Sequence, residues 1–239
     1  MRDTVKAHAK INYTLEVLGV RPDGYHDLRS VVVPIPLCDD VEVVEAEGLS
    51  IDMPGSDLPQ EKNLAWRAAR ALQEATGCTR GASISIVKRI PEGAGLGGGS
   101  ADAAAVLNAL NDLWQLGLDK ERLCEIGATV GSDVPALVLG GTVLMEGRGE
   151  RVKRIDGFEL PPFERFVLRV PDVHASTPAV YAEFRDDDCV RGLNDLQPAA
   201  CWLYPEIARM VEQMVDEGLE NVRMSGSGSA VFGWRRESR

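Results

Sequence analysis

Pro91-Glu92-Gly93-Ala94-Gly95-Leu96-Gly97-Gly98-Gly99-Ser100-Ala101 decides how the rest of this 239-residue chain is read. Before it, Ala82 to Ile90 reads as a strand. After it, Ser100 to Leu116 places Ala103, Val106, Leu107, Leu110, Leu113 and Trp114 at the spacing of an amphipathic helix. Five glycines fall within the seven residues 93–99, far more than a strand-to-helix turn requires. Without Cβ atoms, backbone N–H groups can converge on an anion, and the helix N-terminus adds partial positive charge. The stretch therefore reads as a phosphate cradle, with a purely structural turn as the plainer alternative. Ser100 is the expected helix cap. Asp102, in the first turn, is expected to point outward, because an inward carboxylate would repel phosphate.

Three known nucleotide loops fail on context. Gly93, Gly95 and Gly98 satisfy the dinucleotide GxGxxG spacing. That motif needs a second parallel strand soon after its helix, and here another helix follows from Asp119. A Walker A loop needs Lys-Ser/Thr after its last glycine, whereas Gly99 is followed by Ser100-Ala101. The protein-kinase glycine loop lies between two strands. Phosphate binding in some other fold is what remains.

Outward from the loop, strands are expected at 11–18, 28–35, 41–46 and 82–90, and a helix at 63–74. Helices at 100–116 and 119–127 follow, then a hairpin of 142–146 with 151–155. Beyond it come a strand at 163–170, helices at 178–185, 193–202 and 205–218, and a strand pair framing Met224-Ser225-Gly226-Ser227-Gly228-Ser229. Mixed but segregated elements imply an α+β fold of two lobes, 1–160 and 161–239. The net charge of −11 argues against nucleic acid and against a polybasic membrane anchor. It leaves room for an anionic ligand in a locally positive site. Cys38, Cys78, Cys124, Cys189 and Cys201 are odd in number and lack metal-site spacing, which fits reduced thiols. His8, His26 and His174 are too scattered for a metal centre, and no residue is assigned to a metal. The longest apolar run, Val134 to Met145, is too short to span a bilayer, and the N-terminus is no signal peptide, so a cytoplasmic protein is expected.

The loop resembles the ATP loop of the GHMP kinases (galactokinase, homoserine kinase, mevalonate kinase and relatives). Three further segments strengthen the resemblance: Ala9-Lys10-Ile11-Asn12, Gly131-Ser132-Asp133-Val134-Pro135 and Met224-Ser225-Gly226-Ser227-Gly228. Arg21-Pro22-Asp23-Gly24-Tyr25-His26, with Asn63-Leu64 and Asn194-Asp195-Leu196, is similar to one branch of that family. That branch phosphorylates a cytidine-diphosphate-linked methylerythritol in the non-mevalonate isoprenoid pathway. The resemblance runs in order from about residue 7 to 233. The chain departs from its relatives by ending a helix or so early, so the second lobe is expected to be short at its C-terminus.

The resemblance implies a two-lobe GHMP-kinase-like fold with the active site in the interlobe cleft. ATP, with Mg2+, would donate its γ-phosphoryl to the 2-hydroxyl of the cytidine-linked alcohol. By position, Asp133 would be the general base and Lys10 its charged partner. Residues 91–101 would bind ATP. Tyr25, His26 and Tyr181 would hold the cytosine, while Asn12, Thr177 and Gly226 complete the substrate site. A kinase for another small alcohol and a catalytically silent nucleotide-binding module are the alternatives. The sequence does not fix the oligomeric state; a homodimer stands among the alternatives.

Overall fold

A computed structural model describes residues 3–185 and 193–237; Cys189 lies outside the described residues. The chain opens with two long antiparallel strands, β1 (Asp3–Val20) and β2 (His26–Ala46), joined by the turn at Pro22-Asp23-Gly24. The separate strands expected at 28–35 and 41–46 are thus one strand. Inward and outward residues keep alternating through Pro34 and Pro36, and β1 pairs along both halves.

The far edge of β2 is shared. Its second half pairs with β4 (Gly81–Val87), which carries the short parallel strand β3 (Leu49–Asp52). Its first half pairs with β5 (Val143–Gly147), which turns back into β6 (Arg151–Arg154). Helices α1 (Leu64–Thr76), α2 (Gly98–Leu113), α3 (Lys120–Val130) and α4 (Val134–Leu139) pack together on this sheet. Asn63 caps α1 by accepting from the Ala65 N–H at 2.9 Å, and Asp119 caps α3 through the Arg122 N–H at 2.8 Å.

Two expectations around α2 are corrected. The helix begins at Gly98 behind a Gly97 N-cap with φ +69°, so Ser100 lies inside the first turn and is not the cap. The left-handed glycine turns the chain into the helix earlier than a serine cap would. Asp102 points inward, 3% exposed, and its carboxylate is paired with Lys88 at 2.7 Å. The helix α4 falls in the apolar run after Asp133. Its Pro135 occupies the first turn, where a missing N–H breaks no helical bond.

The last third builds a second antiparallel sheet from β7 (Phe166–Arg169), β8 (Glu220–Met224) and β9 (Val231–Trp234), in the order β7-β9-β8. With it go α5 (Thr177–Glu183), α6 (Gln197–Leu203) and α7 (Pro205–Asp216). The helix expected from Leu193 starts at Gln197 because residues 193–195 are used otherwise. Leu193 O accepts the Leu15 N–H at 2.7 Å, and the Asp195 N–H returns to Leu15 O at 2.9 Å.

Strand β1 serves both halves. Ile11 belongs to a large apolar cluster that also takes in Leu72, Ile84, Leu107, Phe232 and Trp234. Leu15 and Val17 belong to a second cluster with Val180, Leu196, Ile207 and Met214. Burying each such large side chain contributes about 1.5–3 kcal/mol. At the edge of the first cluster, Tyr13 meets Phe158 and Trp234 edge-on, with ring centroids 5.4 and 5.9 Å apart. Among the described residues no helix is long and apolar enough to cross a membrane.

Candidate active site

A cleft of about 890 Å³ opens where β1, the glycine loop, the head of α4 and the segment from His174 to Ala182 face one another. Several of its polar groups converge on one buried lysine. Lys10, on β1, is 3% exposed, and its ammonium donates to Asn12 Oδ1 at 2.7 Å and to Gly95 O at 3.0 Å. It also lies 3.2 Å from Asp133 Oδ2. An ammonium has three donors, and here three oxygens surround it.

The surroundings of Lys10 are equally constrained. Asn12 donates from Nδ2 to Ser30 Oγ at 2.8 Å, and that hydroxyl donates to Thr14 O at 2.6 Å. Ser225 Oγ accepts the Asn12 N–H at 3.1 Å and donates to Gly95 O at 2.9 Å. The Lys10 N–H itself bonds Leu96 O at 2.9 Å. Side chains at Gly95 and Gly97 would break this arrangement. A Cβ on Gly95 would strike the Ser225 carbonyl, and one on Gly97 would come within 2.9 Å of Lys10 Cε; both glycines hold left-handed φ, +74° and +69°.

Asp133 precedes α4 with helical φ and ψ, −85° and −14°, and makes no side-chain cap bond to that helix. Its carboxylate is about a quarter exposed and faces the cleft. An oxygen base held by a buried cation and open to a cavity can accept a proton from a bound hydroxyl.

From the loop, Gly93, Gly95, Gly97 and Ser100 line the cleft. Ala94, Leu96 and Ala101 are buried behind it, while Pro91 and Glu92 are exposed at its start. The expected cytosine residues divide into two stacks. His26 and Tyr181 lie ring on ring, centroids 4.9 Å apart at 30°, with Phe184 edge-on to His26 at 6.1 Å. Tyr25, half exposed, lies instead beneath the Arg148 guanidinium, 3.8 Å from its ring centre. Burial pushes the Tyr181 phenol up, and the Asp133 charge adds to it. Thr177 Oγ1 and Ser227 Oγ are 2.7 Å apart, and Gly226 O accepts from Asn194 Nδ2 at 2.8 Å. Asn12, Tyr25, His26, Thr177, Tyr181 and Gly226 all line the cleft together with Lys10 and Asp133.

Sequence reading missed Arg148 and His174, which also line the cleft. Arg148 lies in the turn between the hairpin strands expected at 142–146 and 151–155, and no local pattern connects it with Tyr25. His174 packs against Gly93 from across the cleft, a contact that only the assembled fold creates.

Family models of the GHMP kinases match the chain twice: the N terminal domain over residues 63–141 and the C terminal domain over residues 178–239. The 4-diphosphocytidyl-2-C-methyl-D-erythritol kinase of Geobacter metallireducens is 42% identical over 250 residues, covering 96% of this chain and 88% of that protein. The enzyme of the same name from Pelotomaculum thermopropionicum is 42% identical over 255 residues, covering 96% and 88%. Among solved structures, a 4-(cytidine 5'-diphospho)-2C-methyl-D-erythritol kinase superposes with a TM-score of 0.81 at 38% identity, covering 97% of this chain and 90% of that one. A homoserine kinase from Cytophaga hutchinsonii shares the fold, with a TM-score of 0.71 at 20% identity, covering 97% and 84%. By sequence over nearly its whole length, and by fold, the chain belongs to the GHMP kinases, and within them to the 4-diphosphocytidyl-2-C-methyl-D-erythritol kinase family.

Proposed function

We propose that the chain transfers the γ-phosphoryl of ATP to the 2-hydroxyl of 4-diphosphocytidyl-2-C-methyl-D-erythritol, with Asp133 as general base and Lys10 as its charged partner. The observation that carries this reading is the Lys10–Asp133 pair, 3.2 Å apart at the mouth of a glycine loop, in a cleft that also holds an aromatic stack. Phosphoryl transfer asks for in-line placement and charge stabilisation more than for covalent help. The loop amides of residues 93–100 and the start of α2 would receive the phosphates. Asp133 would take the hydroxyl proton as attack proceeds. Lys10, with its three donors facing oxygens, would hold that carboxylate in place.

On this reading lobe 1–160 supplies the loop and the catalytic pair, and lobe 161–239 supplies Thr177, Tyr181 and Gly226. Tyr25, His26 and Tyr181 would grip the cytosine, whose flat face suits stacking and whose polar edge suits an imidazole. Asn12, Thr177 and Gly226 would border the diphosphate and sugar. Magnesium takes oxygen ligands and keeps several waters. No group of three or more potential metal ligands occurs among the described residues, so the donor set fits an ion carried by ATP better than a resident one. The Ser100 hydroxyl, in the cleft, would face it. When bound, the ion would neutralise charge that develops on the phosphates.

The test is a coupled assay. ATP is expected to become ADP only when the diphosphocytidyl alcohol is present, and free cytidine nucleotides are expected to compete with that alcohol. Turnover of an alcohol lacking cytosine at the same efficiency would overturn the substrate assignment. Tyr181→Leu removes half of the His26 stack. It is expected to raise KM for the alcohol by about tenfold, from a loss of about 1–1.5 kcal/mol of aromatic contact, with KM for ATP unchanged. Steady-state kinetics with each substrate varied in turn reads this out.

A further inference from the structure

The glycine loop is closed from behind by charges that no part of the proposed reaction uses. Lys88 lies three residues before the loop and Asp102 directly after it. The Lys88 ammonium donates to Asp102 Oδ2 at 2.7 Å and also to Asp39 on β2. The other oxygen of Asp39 accepts the backbone N–H groups of Arg89 at 2.5 Å and Ile90 at 2.9 Å. One point therefore ties together the central strand, the last residues before the loop and the first turn of the helix after it. Asp39 is wholly buried, Asp102 nearly so, and neither carboxylate lines the cleft. Lys88 also backs the loop itself, since a Cβ at Gly98 would lie 3.3 Å from its ammonium.

Stability does not account for this cluster. Two buried carboxylates share one ammonium, an arrangement that costs several kcal/mol in desolvation; Asp39 offsets part of this by accepting two backbone N–H groups, whereas the Asp102 arm is one that an apolar side chain of like volume often replaces at no net loss. Asp102 Oδ1 is buried with no hydrogen-bond partner. Burial pushes the Asp102 carboxyl up to about 7 although Lys88 pulls the other way, and the nearby Asp39 charge adds to the rise. What the cluster supplies is geometry. A run rich in glycine loses about 1–2 kcal/mol of backbone entropy per residue when fixed, and joining its two ends lessens what a ligand must still fix.

We propose that Asp39, Lys88 and Asp102 are positioning residues: a staple that clamps the two ends of the glycine loop and sets its affinity for the nucleotide phosphates without touching them. This rests on the reading of the loop as the ATP site. Asp102→Leu tests it, because it cuts the tie, fills the volume and leaves Lys88 paired with Asp39. Hydrogen exchange of the loop amides 93–100 is expected to speed up about tenfold in this variant while the strands keep their protection. KM for ATP is expected to rise about tenfold, with kcat and KM for the alcohol within about twofold of the parent. Lys88→Arg keeps the cation and is expected to stay within about threefold of the parent in all these quantities.

Unchanged loop exchange in folded Asp102→Leu overturns the staple, and so does faster exchange with unchanged KM for ATP. A fall in melting temperature alone, with both measures of the loop unmoved, makes the cluster merely structural and overturns it too. A parent chain that binds no ATP overturns the kinase reading instead. The exchange contrast at 93–100 then still decides whether the staple exists.

Discussion

Asp133→Asn is expected to fold as the parent does and to lose about 10²–10⁴-fold in kcat, the range typical of a missing general base. The side chain makes no capping bond to α4, so its removal costs that helix nothing. Asparagine keeps the shape and an oxygen for Lys10, which lies 3.2 Å away, but cannot take a proton from a hydroxyl. The loss should therefore appear in kcat, with KM for ATP little changed and the melting temperature within a degree or two (about 0.5 kcal/mol or less). A coupled ADP-release assay beside thermal melting checks both. Parent-like turnover by the purified variant would remove Asp133 from the mechanism.

Lys10→Met is expected to lower both turnover and stability, which separates it from the first variant. Methionine matches the length of the aliphatic stem but takes the Lys10 donor from Asn12 Oδ1 and one of two donors from Gly95 O. Each stranded buried acceptor costs about 1–3 kcal/mol. Gly95 O still accepts from Ser225 Oγ at 2.9 Å, so its share of the loss falls at the low end. Turnover is expected to drop by about 10²-fold or more, because Asp133 loses the group that orients it. Lys10→Arg is the control. Its larger planar head keeps the charge but does not fit a pocket whose oxygens converge on a point, so it should restore stability only in part. Melting that is unchanged in Lys10→Met would contradict the hydrogen-bonded role described for this residue.

Much of this candidate site is legible in the sequence, for a physical reason. The glycine loop, the Lys10 strand and the Asp133 turn are each local, and each is written in consecutive residues whose chemistry constrains them. What escaped depends on distant partners. Asp102 was read by its helix position alone, where a solvated carboxylate suits the dipole; only β2 and the turn after β4 bring Asp39 and Lys88 to it. Ser100 looked like a cap because serine favours that position, yet the left-handed Gly97 took it. The helix α4 was hidden by Pro135 and by Gly140 and Gly141, which break an apolar pattern without breaking a helix of this length. The strand β3 has four residues and one neighbour, too little for periodicity to register. Arg148 and His174 reach the cleft from a hairpin turn and from the connection after β7, and nothing near them in sequence marks that destination.

The hydrogen bond from the Asn12 N–H to Ser225 Oγ joins residues 213 positions apart. On a ribosome adding about 5–20 residues per second, Lys10 emerges roughly 10–40 s before the serine that completes its surroundings. The first strand can pair with β2 early, but its bonds from Leu15 to Leu193 and Asp195 wait for the later residues. Such distant pairings slow folding. The cleft is thus among the last parts of the molecule to form, and a nascent chain released before Met224 would carry its lysine with the pocket unfinished.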